Sequence, residues 1–374
     1  MRKSNFTFLN SSIILVLVTC LSFVPQDPGV KDIFDEDFYI GAALGSFTVR
    51  NNDAAVRMVL EQHFNSISPE NLLKWQSVHP RLGEYNFKDA DAFVEMGEKL
   101  NSFIVGHTLV WHNQTPKWVY QGEDGSPLEM TELLSRMEDH IEQVMGRYKG
   151  RIQGWDVVNE AFTDDGKYRN SEWFSAAGVD FIKRAFQKAS EVDPSAELYY
   201  NDYNMWKPAK VDASIAMAKE MRDEGIKIDG IGMQGHYGLT SPSLDQIELS
   251  INKIYEAGFT VMITEFDIDV LPNPSNRQGA DIDDNFGYDA AFDPYKEGLP
   301  DEIKEKLAAR YREIFQLFHL HREKISRVTF WGIRDQDSWL NNWPIRGRTA
   351  YPLLFDKNYQ VKEYIFEQLK GINS

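Results

Sequence analysis

Eight short apolar segments recur along the 374-residue chain, and longer amphipathic segments separate them. The apolar segments are rich in β-branched and aromatic residues and are flanked by turn-forming residues, a pattern typical of β-strands. Some are apolar on both strand faces, as at residues 261–263, which favours parallel strands covered on both sides. The eight predicted strands comprise residues 38–44, 63–68, 102–107, 154–159, 197–201, 228–234, 260–265 and 327–332.

The segments between these strands have helical periodicity. Regular alternation of strand and helix, with no obvious domain break, predicts an α/β fold in one domain. Eight strands are the number that a closed (β/α)8 TIM barrel requires. The pattern by itself leaves a doubly wound open sheet as the alternative. The clearest predicted helices are residues 89–99, 130–148, 172–190, 209–222, 244–256 and 300–319.

The first twenty residues have the pattern of an export signal. Arg2 and Lys3 precede an apolar run at residues 13–18, and no acidic residue occurs before Asp27. The run is too short to remain as a membrane span. We therefore predict a signal peptide at 1–20, a linker at 21–34 and one folded domain at 35–374.

Cys20, the only cysteine in the chain, leaves two routes of processing open. Residues 17–20 resemble a bacterial lipobox, in which Cys20 would become a lipidated N-terminus. Thr19 departs from the small residue that usually precedes that cysteine, so ordinary secretory cleavage is the alternative. Both routes predict an exported protein that is periplasmic, anchored to the outer membrane or extracellular. The folded domain has no cysteine and therefore no disulfide.

The chain has 57 acidic and 40 basic residues, which give a formal net charge of −17. Such a surplus repels phosphate, so nucleic acids and anionic membranes are excluded as partners. A neutral polysaccharide would meet no such repulsion. Beyond the export signal, no segment is predicted to span a membrane.

Patterns that could indicate a cofactor or a metal fail on their context. A GxGxxG string at residues 230–235 is followed by a loop instead of the helix that would bind a pyrophosphate. His107 and His112 do not form the HExxH pattern of zinc hydrolases. The irregular stretch at residues 271–300 lacks the spacing of a calcium-binding loop. We expect no cofactor and no metal, and we interpret residues 271–300 as a surface loop.

Two glutamates share one local setting. Glu160 follows the fourth predicted strand, and Glu265 ends the seventh. In a parallel barrel these strand ends meet at the active-site face, on opposite sides of the barrel mouth. Two carboxyls that face each other there could cleave a glycosidic bond, one as proton donor and the other as attacking anion. Other barrel enzymes also place carboxylates at this face, so the pattern alone does not decide the chemistry.

The residues that flank the two glutamates, and other segments along the chain, narrow the choice of chemistry. Segments that run in order from about residue 35 to the C-terminus resemble glycoside hydrolase family 10, the retaining endo-β-1,4-xylanases. The resemblance covers nearly the whole predicted domain, and together the segments are highly specific. They are residues 69–75 (PENLLKW), 106–112 (GHTLVWH), 155–161 (WDVVNEA), 200–204 (YNDYN), 232–236 (GMQGH), 263–267 (ITEFD), 330–332 (FWG), Asp335 and 338–339 (SW).

The resemblance implies a role for each matching residue. Glu160 would be the acid/base and Glu265 the nucleophile. Asn159 would donate to the sugar 2-hydroxyl and towards Glu265, and Gln234 and His236 would hold the two glutamates in place. The implied substrate-binding residues are Glu70, Asn71, Lys74 and His107, on the non-reducing side of the scissile bond, and the wall residues Trp111, Trp331 and Trp339.

The predicted function is therefore endo-hydrolysis of xylan, with xylan and xylo-oligosaccharides as partners. Retention predicts carboxyl groups about 5–5.5 Å apart. Bulk from Trp331 and Trp339 would exclude the C6 hydroxymethyl group of glucose. Two alternatives remain open from the sequence: a retaining β-1,4-glucanase on the same barrel, and a surface glycan-binding protein without catalysis.

Overall fold

A computed structural model describes residues 27–51, 53–274 and 285–372 of the chain. The predicted signal peptide, Cys20 and residues 21–26 of the predicted linker lie outside these residues. Residues 275–284 of the predicted surface loop also lie outside them.

Eight parallel strands in the described part of the chain close into a barrel. Each strand pairs with its neighbours, and the pairing of residues 230–233 with residues 260–263 completes the ring. The TIM barrel predicted from the sequence is confirmed, and the open sheet is excluded because that pairing leaves no edge. The barrel strands are β1 (Tyr39–Leu44), β2 (Ser66–Pro69), β3 (Phe103–Trp111), β4 (Gly154–Asn159), β5 (Glu197–Asp202), β6 (Gly230–Met233), β8 (Thr260–Asp269) and β9 (Ile325–Phe330).

A further short strand, β7 (His236–Gly238), pairs with the last residues of β8 at the barrel mouth. It was not predicted, because three residues inside a loop carry no periodic pattern. The strand ends at the mouth are also irregular: the register shifts between His107 and Val110 and between Ile263 and Phe266. Such bulges change the direction of side chains and are frequent beside active sites.

Helices connect the strands and cover the outside of the barrel. The predicted helices are present, except that residues 172–190 form two helices instead of one. Gly178 separates them with a φ of 56°, a backbone conformation that glycine adopts without steric cost. The helices are α1 (Val30–Ile33), α2 (Ser46–Asn51), α3 (Ala54–His63), α4 (Trp75–Val78), α5 (Lys88–Lys99), α6 (Met130–Arg147), α7 (Glu172–Ala177), α8 (Asp180–Val192), α9 (Pro208–Asp223), α10 (Leu244–Glu256), α11 (Asp301–Leu320) and α12 (Glu363–Lys370).

Within the described ranges, no helix is both long and apolar enough to cross a membrane.

The folded body begins before the predicted boundary at residue 35. Helix α1 packs against the barrel assembly, and Val30 and Phe34 are completely buried. The ring of Phe34 stacks on Phe38 at 5.4 Å and contacts Phe315 of α11 at 5.2 Å. The prediction of a linker through residue 34 was therefore wrong for its last residues, because these apolar side chains belong to the core.

Replacement of Phe315 by alanine should lower the free energy of unfolding by about 3–5 kcal/mol, because it empties a buried site. Phe315 is completely buried and contacts Phe34, Phe266 and Phe330. Urea unfolding monitored by circular dichroism measures the change. The control is Leu320→Ala at the end of the same helix, where the side chain is 62% exposed and the expected change is within about 0.5 kcal/mol. Equal losses in both variants would contradict this account of the core.

Candidate active site

The predicted site residues converge on one cavity at the barrel mouth. The cavity has a volume of about 160 Å³, and all twelve predicted residues line it. They reach it from different strands because the C-terminal ends of parallel barrel strands meet at one face. One lining residue, Gln114, was not predicted. The lining residues are Glu70, Asn71, Lys74, His107, Trp111, Gln114, Asn159, Glu160, Gln234, His236, Glu265, Trp331 and Trp339.

Glu160 lies directly after β4, and two donors hold its carboxyl. The indole of Trp111 donates from Nε1 to Oε2 at 2.8 Å, and Gln234 donates from Nε2 to Oε1 at 2.8 Å. Gln234, which the resemblance implied would help to hold the two glutamates, thus contacts Glu160. For Trp111 the contact is new: this residue was predicted as a cleft wall, and it also binds the glutamate directly.

Glu265 lies within β8, whose hydrogen-bonded pairing continues beyond it to Asp269. Asn201 of β5 donates from Nδ2 to Oε1 at 2.9 Å, and Nε2 of His236 lies 3.3 Å from Oε2. The amide that bonds Glu265 therefore belongs to Asn201, a residue in the matched YNDYN segment that was not predicted as a site residue. The side-chain oxygen of Asn159 accepts from Asn201 at 3.0 Å instead.

The pKa values of the two glutamates are shifted in opposite directions from the ordinary value of a glutamate. Burial raises the pKa of Glu160, and the negative charge of Glu265 adds to this effect against the hydrogen bonds from Gln234 and Trp111. Burial also acts to raise the pKa of Glu265, but the hydrogen bond from His236 and nearby positive charges outweigh it and lower that pKa. One buried carboxyl is thereby favoured as a proton donor and the other as an anion.

His236 connects Glu265 to a second buried carboxylate. Its Nδ1 lies 3.0 Å from Oδ2 of Asp267, which also accepts from Nε1 of Trp339 at 2.8 Å. Burial opposes the charged imidazole, but Asp267 and Glu265 together raise the pKa of His236 to about 10. His236 is therefore an imidazolium at neutral pH, and its positive charge keeps Glu265 ionised.

Lys74 lies among the carboxylates on the other side of the cavity. Its ammonium donates to Oδ1 of Asn71 at 3.0 Å and lies 4.7 Å from the centre of the Trp111 ring. Burial lowers the pKa of Lys74, and the charges of Glu265, Glu70 and Glu160 act in the opposite direction. Burial raises the pKa of Glu70 in turn. This side of the cavity presents several polar groups with the donors and acceptors that sugar hydroxyls bind.

His107 and the tryptophans complete the cavity. Nδ1 of His107 is 2.9 Å from Oδ2 of the buried Asp156, and the imidazole meets the ring of Trp331 edge-on at 5.3 Å. Trp339 stacks on Trp343 at 4.6 Å. A wider groove of about 580 Å³ adjoins the cavity and shares Trp339 and His236 with it. A chain longer than one sugar could therefore extend beyond the two glutamates.

Part of the stretch predicted as a surface loop contributes to this groove. Leu271, Pro272 and Asn273 line it. The GxGxxG string at 230–235 forms β6 and the turn after it, and no helix begins there.

Comparison with known proteins identifies the family of this arrangement. The family model described as Glycosyl hydrolase family 10 matches residues 29–370. The chain belongs to glycosyl hydrolase family 10. The match starts close to helix α1, in agreement with the folded body that begins before residue 35.

Two relatives of this family 10 chain are similar to it over nearly their whole length. Endo-1,4-beta-xylanase A of Xylanibacter ruminicola is 41% identical over 95% of this chain and 96% of the relative. A beta-1,4-xylanase of Dictyoglomus thermophilum is 38% identical over 96% and 97%. Among solved structures, a GH10 endoxylanase from a sugarcane soil metagenome has a TM-score of 0.89 and 46% identity, with 91% of this chain and 99% of that chain covered. A mutant in complex with xylotriose has a TM-score of 0.80 and 34% identity, with 91% and 99% covered.

Asp267→Asn should lower the pKa of His236, because it removes the negative charge beside Nδ1. In the protein without this substitution, the imidazole of His236 should keep its second proton through neutral pH and lose it near pH 10. Titration of the His236 ring signals by NMR measures the difference.

Glu248→Gln is the matched control for this titration. It removes a carboxylate that lies 2.8 Å from His321, so the midpoint of His236 should not move. If Asp267→Asn and the control gave the same midpoint for His236, Asp267 would not be the source of its charge.

Proposed function

We propose that this family 10 chain is an endo-β-1,4-xylanase that cleaves internal linkages of xylan with retention of anomeric configuration. Glu160 is the acid/base residue and Glu265 is the nucleophile. The observation that carries the proposal is that both glutamates line one cavity and that their pKa values are displaced in opposite directions. The relatives that are xylanases by name support the choice of xylan.

In the first step the ionised carboxylate of Glu265 attacks the anomeric carbon of the sugar. The bond between that carbon and the glycosidic oxygen breaks, and the leaving oxygen takes the proton of Glu160. The product is a covalent glycosyl ester on Glu265, and Glu160 becomes a carboxylate. The raised pKa of Glu160 favours the proton that this step requires.

In the second step a water molecule attacks the same carbon from the side of Glu160. Glu160 takes one proton of the water, the new carbon–oxygen bond forms, and Glu265 leaves as a carboxylate. Two inversions restore the original configuration. His236 and Asn201 contact the Glu265 carboxylate and stabilise it as a leaving group.

The tryptophans that line the cavity support the choice of xylose over glucose as the sugar of the substrate. Trp331 and Trp339 line the cavity that holds both glutamates, and Trp339 is fixed there by its bond to Asp267 and its stacking on Trp343. A rigid ring beside the cleaved sugar leaves little room for a C6 hydroxymethyl group, which xylose lacks. We therefore expect aryl xylotriosides to be cleaved much faster than the matching cellotriosides; equal rates would contradict this selection.

Glu265→Ala should abolish the release of new reducing ends from xylan while binding to xylan is retained. Loss of a covalent nucleophile lowers kcat on the order of 10⁴-fold or more. Glu160→Ala should lower it by about 10²–10⁴-fold for substrates with a poor leaving group. Reducing-end assays, affinity electrophoresis in xylan gels and proton NMR of the first-formed anomer measure these outcomes.

Glu248→Gln serves as the control for this experiment, because it removes a surface carboxylate outside the cavity. It should keep full activity and release the β-anomer first. Binding without hydrolysis by the unchanged chain would favour a glycan-binding protein, and release of the α-anomer would exclude retention.

We also propose that the protein is exported and is processed near Cys20. The support is the order of charge, apolar run and cysteine at residues 1–20. A protein that degrades a polymer too large to enter the cell would have to meet it outside the cytoplasm.

Mass spectrometry of the protein from a bacterial envelope should give one of two results. A mature chain that starts at Cys20 and carries a diacylglyceryl group identifies the lipoprotein route. A chain without lipid that starts near this position identifies ordinary secretory cleavage, for which Cys20→Ala should change neither yield nor location. Recovery of the full-length chain from the cytoplasm would contradict export.

A further inference from the structure

The backbone of Glu160 has a conformation that side-chain-bearing residues rarely adopt. Its φ is +58°, in the left-handed region. A glutamate stays in this region only when its surroundings hold it there, and such residues cluster at functional sites. The direction of the Glu160 carboxyl therefore depends on the contacts that hold the backbone of this residue.

Arg169 binds the backbone at this position. Its Nε donates to the carbonyl oxygen of Glu160 at 3.2 Å, and its own backbone N–H donates to the carbonyl of Ala161 at 2.7 Å. The guanidinium thus contacts the peptide unit that leaves Glu160, immediately after the left-handed turn. Arg169 thus contacts Glu160 at its backbone, whereas Trp111 and Gln234 contact its carboxyl.

The other end of the guanidinium is anchored in a buried charge cluster. Nη2 of Arg169 donates to the hydroxyl of Tyr203 at 2.6 Å. The ammonium of Lys210 lies 3.6 Å from the centre of the Tyr203 ring and 2.7 Å from Oδ1 of Asp202. Asp202 and Lys210 are both completely buried. Such a pair is costly to displace once formed, so it gives Arg169 a rigid support.

The side chains that hold the Glu265 carboxylate are those of Asn201 and His236. The side-chain hydrogen bonds of Arg169 named above go to the backbone of Glu160 and to Tyr203. A change at Arg169 should therefore disturb proton donation and leave nucleophilic attack largely intact.

We propose that Arg169 is a positioning residue for Glu160. It connects the left-handed backbone of that glutamate to Tyr203, which packs on the buried Asp202–Lys210 pair, and the carboxyl of Glu160 therefore points at the leaving oxygen. This inference rests on the proposed function, since it assigns Arg169 to the acid/base half of that reaction.

The test compares two aryl β-xylobiosides that differ only in their leaving group. A phenyl leaving group needs protonation, whereas a 2,4-dinitrophenyl group leaves as a stable anion without it. Arg169→Met should lower kcat/KM for the phenyl substrate by at least about tenfold, a part of the factor that a general acid supplies, and should change kcat/KM for the dinitrophenyl substrate much less. The ratio of the two values does not depend on how much of the protein folds.

The pH profile supplies a second readout. The charge of Arg169 favours the ionised form of Glu160, so its removal should raise the pKa of Glu160 further. The basic limb of kcat/KM for the phenyl substrate should move to higher pH in Arg169→Met. Arg169→Lys keeps the charge and should keep the limb near its original position, while it loses the two-pronged contact and part of the rate.

Two further variants test whether the effect is specific to the contacts of Arg169. Tyr203→Phe removes only the hydroxyl that accepts from Arg169, and it should reproduce the leaving-group pattern to a smaller degree. Arg151→Met removes a surface arginine that pairs with Glu98 and should leave the ratio unchanged. Equal losses on both substrates in Arg169→Met, or no loss on either, would overturn the inference.

Glu160→Ala separates this inference from the proposed function. If Glu160→Ala shows the leaving-group pattern and Arg169→Met does not, only the role of Arg169 fails. If Glu160→Ala lacks the pattern as well, the acid/base assignment itself fails.

Discussion

The pairing of β6 with β8 is the contact on which both the barrel and its mouth depend. It runs from Gly230–Thr260 to Met233–Ile263 and closes the ring of parallel strands. One step beyond it, the backbone N–H of Glu265 donates to the carbonyl of Gln234 at 2.7 Å. Because the side chain of Gln234 reaches Glu160 on the opposite side, the same closure sets the relation between the two glutamates.

Burial acts in the same direction on both glutamates, and their neighbours decide the outcome. In the described residues, the donors to the Glu160 carboxyl, Trp111 and Gln234, are neutral, and the effect of burial prevails over them and over the charge of Arg169. Glu265 lies beside an imidazolium whose charge Asp267 maintains. The burial of both carboxyls away from water strengthens each of these interactions, which lets two identical side chains serve opposite roles within one site.

Much of the site could be predicted because its residues follow strand ends. Glu160 and Glu265 were recognisable from that position, and the family resemblance supplied their companions. Asn201 was missed although it lies in a matched segment, because an amide shows no reactive chemistry of its own and its contact with Glu265 arises only when β5 and β8 face each other. Arg169 was missed for the same reason: it lies nine positions after Glu160 along the chain, and only the fold of the loop brings it back to that residue.

The alternation of apolar and amphipathic segments by itself determined an α/β fold with eight parallel strands, since hydrophobic periodicity and the number of strands are properties of the chain. The closure of these strands into a barrel was decided by the pairing of β6 with β8 in the tertiary structure. The same segments determined which residue types would lie at the barrel mouth. Only the tertiary structure decided the start of the folded body at α1, the break at Gly178 and the left-handed backbone of Glu160. It also decided the direction of each pKa displacement. These depend on distances between groups far apart in the sequence, and a local pattern contains no record of such distances.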